Sequence, residues 1–214
     1  MIVCAGKMVC KGMLVRISIS AQFKKFTDYW ELLQAEAEGP IPAKSQLNPG
    51  QIASLLPYVY LLEHKSDDEM IMRLVGTSLD EIASHAYTGS NFFDFCPPED
   101  VFLYKEVNKY RSLVPCGTNV VRDLTFESGK NYTLSSIGYP MADNEGALTY
   151  SIGVMILSRH FEADEMDNGG VTRSVLRSLD YIDIGFGVPE TSEISAPHAS
   201  PGMHKTPRSQ KISE

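Results

Sequence analysis

Between residues 118 and 158 the chain passes through three strand-like segments separated by nothing longer than a turn. They are 118–127 (TNVVRDLTFE), 131–141 (NYTLSSIGYPM) and 148–158 (LTYSIGVMILS). Ser128-Gly129-Lys130 joins the first pair, and Asp143-Asn144-Glu145-Gly146 precedes the third; both are hairpin turn chemistry. Links this short cannot hold a crossover, so the strands run antiparallel. In the third strand Leu148, Tyr150, Ile152, Val154 and Ile156 alternate strictly, which predicts one buried face. Gly153 falls on the opposite face, where a close neighbour or a bend is expected.

Upstream, 58–64 (YVYLLEH) and 70–76 (MIMRLVG) read as a further hairpin around the polar turn KSDDE. Thr77 or Ser78 caps a short helix through Ala83. Pro97-Pro98-Glu99-Asp100 opens a longer helix, since proline and early acids both suit a helix N-terminus, and Pro115-Cys116-Gly117 breaks it. Nearer the start, Phe23, Phe26, Trp30, Leu33 and Ala37 recur at steps of 3, 4, 3 and 4, the stripe of an amphipathic helix stopped by Gly39-Pro40. Asn48 and Pro49 then cap and open a short helix in NPGQIASLL. The sum is an α+β domain over residues 23–160, with five antiparallel strands, a helical insert and an amphipathic N-terminal helix.

The ends differ in kind. Residues 1–22 carry Lys7, Lys11 and Arg16 and no acid, spaced too closely for a secretory signal, and read as a disordered leader. Met8 and Met13 are alternative starts. Residues 161–214 hold nine acids against five bases, with Pro189, Pro197, Pro201 and Pro207 in the last 26. They read as a mostly disordered tail, partly relieved by a short helix near 171–180 built on Val171, Val175, Leu176 and Leu179.

Charge and cysteine use narrow the function classes. Nineteen basic against 27 acidic residues leave a net −8, which argues against a nucleic-acid groove. No window approaches the ~20 apolar residues of a membrane span. The four cysteines (Cys4, Cys10, Cys96, Cys116) form no CxxC pair, so neither a zinc site nor a disulfide framework is expected. Reduced thiols fit a cytoplasmic protein. The chain holds no Gly-rich phosphate loop, GxSxG or HExxH, so no catalytic residue and no metal ligand is nominated.

The order of these elements resembles a PAS domain, and more narrowly the bacterial single-domain PAS family, once a domain of unknown function. The matching pieces are Tyr29-Trp30, Pro40 and Pro42, Asn48-Pro49, Leu55-Leu56-Pro57, Val59 to Leu62, Arg73-Leu74-Val75-Gly76-Thr77, Thr88-Gly89 and Tyr139-Pro140-Met141. Together they cover residues 26–160. Ser84-His85-Ala86 stands where the family carries a glycine. The resemblance implies a sheet curved around its helical insert, enclosing a small ligand, a heme or a flavin. It further implies a non-enzymatic sensory or regulatory role in signal transduction, through a signalling partner protein, with a leading helix that often pairs in a homodimer.

Heme and flavin are both disfavoured. The photoreceptor branch needs Gly-x-Asn-Cys, whereas this chain reads Gly89-Ser90-Asn91-Phe92, with Cys96 more than one helical turn later. The helix 98–113 has no histidine to serve as an axial ligand, and His85 comes too early. The expected ligand is an unidentified small molecule. Arg73, His85, Tyr87, Phe92, Phe95, Tyr104 and Arg122 are the pocket candidates. Each has a plainer reading: the arginines as structural ion pairs, with Asp123, Glu127 or Asp94 on offer, and the aromatics and His85 as core. Phe23, Phe26, Trp30 and Leu33 are candidates for a dimer helix or for covering the domain's own sheet. Three functions follow. The first is a sensory module without its own output domain, the second an adaptor with a packed, ligand-free core, and the third an enzyme using Arg73 and His85 on a similar fold.

Overall fold

The hairpin logic of the sequence reappears in the backbone, with one strand added. The computed structural model describes residues 12–83, 86–159 and 170–189. Its strands are β1 (Val59–Ser66), β2 (Glu69–Val75), β3 (Gly117–Phe126), β4 (Asn131–Met141), β5 (Tyr150–Arg159) and β6 (Val171–Ile182). They form one antiparallel sheet in the order β2-β1-β5-β4-β3-β6. The helices are α1 (Gly12–Ala35), α2 (Thr77–Ala83) and α3 (Pro98–Leu113). α2 and α3 carry the chain from β2, at one edge, across to β3, so the insert lies over one face of the sheet. Asn48 caps the 3₁₀ segment Pro49–Tyr58 by accepting a hydrogen bond from the Gly50 N–H at 3.1 Å.

The other face belongs to α1. Phe26 and Trp30 are 0% and 1% exposed, and with Tyr29 and Leu33 they pack on Val59, Leu61, Ile137, Tyr139, Ile152 and Val154. Trp30 stacks on Tyr139 with centroids 4.7 Å apart and donates its indole N–H to the Pro140 carbonyl at 3.1 Å. Burial of this kind stabilises by roughly 1.5–3 kcal/mol for each large apolar side chain. Of the two uses expected for the stripe, the chain's own sheet takes it. Phe26, Trp30 and Leu33 are therefore not open to a second subunit, and Phe23 packs partly against the same cluster. The helix also begins at Gly12, inside the stretch expected to be a disordered leader; residues 1–11 lie outside the described residues.

The stretch read as a short helix near 171–180 is instead β6, the sixth strand, paired with β3 along its whole length. The cause of the misreading is visible in the register. Arg122 opposes Leu176 while Val121 opposes Ser178, so Arg177 is an extra, bulged residue. The bulge sets Leu176 and Leu179 three apart on one face of a strand, a spacing that imitates a helical turn. Residues 161–169 and 190–214 of the expected tail lie outside the described residues.

Candidate functional site

Directly opposed residues on neighbouring strands share a face, so the register alone writes out the surface beneath the insert. One row across it runs Tyr60, Gly153, Gly138, Thr118, Tyr181. The two glycines form a floor on which the Tyr60 side chain lies, its hydroxyl accepting from Ser136 Oγ at 3.2 Å. Gly153 thus meets the close neighbour its position predicted. Tyr181 closes the row from β6. Met70, Met72, Leu62 and His64 extend the same face toward β2. His64 Nε2 is 2.6 Å from Ser151 Oγ. Burial, assisted by the charge of Arg111, pulls the His64 imidazole down to about 3, so it is neutral at ordinary pH.

α3 supplies the opposing wall. Asp100, Leu103, Val107 and Arg111 step 3, 4 and 4 along it, which is one inward stripe. Leu103 and Val107 pack on Leu176, with Val120, Leu179 and Tyr181 around them. The polar residues divide into two clusters that sit on either side of this apolar band.

The first cluster is closed upon itself. Arg122 Nε donates to Ser174 Oγ at 2.8 Å, one terminal nitrogen donates to the Tyr104 hydroxyl at 3.2 Å, and the other pairs with Asp100. Asp100 is 2% exposed. Burial, with Asp100 close by, pushes the Cys96 thiol up to about 12, and burial likewise pushes the Tyr104 phenol up to about 12. A thiol in that state is inert, which agrees poorly with a flavin-adduct role at Cys96. With each of its three guanidinium nitrogens engaged, Arg122 fastens α3 to β3 and β6.

The second cluster is incomplete. Arg111 donates Nε–H to the Cys116 carbonyl at 3.3 Å and makes no ion pair among the described residues. Burial pulls its pKa down, and the groups acting on it are the phenols of Tyr60 and Tyr181 and the Cys116 thiol. The Tyr181 hydroxyl is buried with no hydrogen-bond partner. Asn108, one turn before Arg111, reaches only the Met70 sulfur at 3.5 Å.

The expected pocket residues scatter across this geometry. Phe92, Tyr104 and Arg122 come together, with Phe92 and Tyr104 rings edge-to-face at 5.1 Å. Tyr87 and Phe95 pair with one another at 4.8 Å, and Phe95 is among the exposed apolar residues. Arg73 leaves the interior altogether: it lies at the bulge of β2, 42% exposed, and pairs with Glu63. His85 lies outside the described residues. Both arginines are therefore ion-paired, although Arg122 has Asp100 as partner in place of the acids expected. Tyr60, His64, Arg111 and Tyr181 were missed. The alternation of Tyr60, Leu62 and His64 and the stripe ending at Arg111 are the signals that point to them. Among the described residues, no three His, Cys, Asp or Glu side chains converge on a metal position, and no helix is long and apolar enough to cross a membrane.

The PAS domain family matches residues 19–156 of the chain. No curated protein matches it. Solved structures with similar folds include a light-oxygen-voltage domain studied with a flavin analogue, at 16% identity and TM-score 0.40, over 52% of this chain and 84% of that one. The blue-light photoreceptor Aureochrome1 LOV domain is 13% identical, TM-score 0.36, over 55% of this chain and 91% of that one. The VqmA dimer of Vibrio cholerae is 14% identical, TM-score 0.38, over 57% of this chain and 55% of that one.

Proposed function

We propose that this chain, which belongs to the PAS domain family, is a sensory or regulatory module that takes a small molecule between the inner sheet face and α3. One observation carries the reading. On the inner face Gly138 and Gly153 make way for the Tyr60 ring, and the same face carries a buried hydroxyl, on Tyr181, with no partner. Buried polar groups are satisfied in the great majority of folded proteins, and a ligand is one way to satisfy them. The free, buried thiols of Cys96 and Cys116 and the net charge of −8 support a cytoplasmic signalling role with a protein partner. Among the described residues the candidate nucleophiles and bases are occupied: the Cys96 and Cys116 thiols are held protonated and His64 is tied to Ser151.

Native mass spectrometry of the protein purified from its own host tests the reading. The expected spectrum shows the chain plus a bound small molecule that is lost on denaturation. The bare chain mass alone would overturn it in favour of the second reading, a protein-interaction adaptor with a filled core. That second reading draws on Phe102 and Leu113, 74% and 70% exposed on α3.

A further inference from the structure

The incomplete cluster has a definite chemistry. Arginine stays protonated in proteins, so Arg111, half-buried at the end of the inward stripe of α3, carries a full positive charge to the edge of the interior. A charge drawn partly out of water gains from an anionic partner, and a carboxylate is the usual one. Arg122 shows that solution with Asp100, which lies about three turns of α3 before Arg111, across the apolar band. Arg111 does not. The groups around it are two phenols, a thiol and a neutral imidazole, and it uses only Nε, on a backbone carbonyl. Asp183 and Glu106 border the cluster through Cys116 and Tyr181 and form no ion pair with Arg111. Arg111 rests on Cys116, two residues before Thr118, and Thr118 opposes Tyr181, whose hydroxyl is buried and unbonded.

We propose that Arg111 and Tyr181 form the anion-holding end of the ligand site and that the molecule bound there is a small organic carboxylate. This inference rests on the reading of the interior as a ligand site. A planar carboxylate matches the two terminal nitrogens of a guanidinium fork and leaves a lone pair for the Tyr181 O–H. One cation suits a monoanion better than a dianion such as phosphate. Met70 and Met72 on the same sheet face offer apolar contact for the rest of the ligand.

The test uses the full chain, stripped of co-purifying molecules, with acetate, benzoate, inorganic phosphate and uncharged benzyl alcohol as probes. Binding is read by thermal unfolding and by calorimetry. The expected result is that benzoate or acetate raises the unfolding midpoint in a concentration-dependent way and benzyl alcohol does not. Arg111→Gln should weaken carboxylate binding at least tenfold, and Arg73→Gln on the surface should leave it unchanged. Tyr181→Phe gives an independent reading should Arg111→Gln fail to fold. It deletes a hydroxyl that bonds to nothing in the free protein, so the free protein should be as stable or more stable, yet carboxylate affinity should fall severalfold. Equal binding by Arg111→Gln and the parent chain, no carboxylate binding, or binding of phosphate alone would each overturn the inference. An uncharged molecule found by native mass spectrometry would do the same while leaving the sensory reading intact.

Discussion

At Gly153 an added Cβ would meet the Ile137 carbonyl oxygen and the Tyr60 ring together, whereas at Gly138 the collision is with the Tyr60 hydroxyl, the ring carbon bearing it staying 3.4 Å off. The two positions face one another across β4 and β5, yet they should respond differently to the same repair. Gly138→Ala and Gly153→Ala are each expected to cost about 1–3 kcal/mol, the usual range for overpacking a tight interior. Tyr60→Phe removes the atom that Gly138→Ala strikes, so the double variant should recover most of that loss. It should recover little for Gly153→Ala, where backbone is in the way. Urea unfolding of the four variants decides this, and equal rescue at both positions would refute the geometry. His64 offers a pH test at the same scale. Its folded value near 3 lies below the ordinary 6.5, so between those values the unfolded chain binds the extra proton. Its contribution is complete above pH ~6.5 and is lost as pH falls, at no more than about 1.4 kcal/mol per pH unit. His64→Gln should flatten the drop in urea midpoint measured between about pH 7 and pH 5; an unchanged drop would place the acid sensitivity elsewhere.

Among the elements, α3 depends on a polar fastening at its first turn and an apolar one further along. Asp100 was read from sequence as a charge suited to a helix N-terminus, and it does lie in the first turn of α3. Its larger task, pairing with Arg122, was not legible, because the two are 22 residues apart and meet only when the helix crosses the sheet. For Arg122, a pocket candidate, the sequence also allows an ion pair, from the cost of burying a lone guanidinium, and in the structure its partner is Asp100. The acids nearest in sequence were nominated, and of these Asp123 faces Arg177 instead. Local alternation settles which face a residue occupies; which helix residue lies opposite depends on tertiary placement. Asp100→Ala should cost about 3–5 kcal/mol, since it strands a buried cation. Replacing both partners, as Asp100→Leu with Arg122→Met, should recover much of that loss in chemical denaturation. If the double replacement proves as damaging as the single, the pair is not the fastening described. For α1 the sequence stripe was legible and its packing partner was not, because an apolar stripe looks the same whether it meets its own sheet or another chain.

For the whole molecule, the decisive addition is β6. Without it β3 would be an open edge, a row of unpaired N–H and C=O groups of the kind that recruits other chains. With it, Leu176, Leu179 and Tyr181 extend the inner face beyond β3 and cover Leu103 and Val107 of α3. The strand therefore closes the domain, and it supplies Tyr181 to the candidate site. Its bulge explains why composition and periodicity pointed elsewhere: an acidic neighbourhood suggested disorder, and the spacing of Leu176 and Leu179 suggested a helix. A chain ending at residue 170 would uncover the α3 side of the interior and the full length of β3. It should unfold at markedly lower urea, bind a hydrophobic dye in its folded form, and tend to self-associate through the exposed edge. The point substitution Leu176→Ala, which keeps the strand, should lose about 2–5 kcal/mol through a cavity alone, without dye binding or association. Comparing the two separates packing from edge closure. A truncated chain as stable and as monomeric as the parent would show that β6 is an appendage, and would remove Tyr181 from any account of what the interior binds.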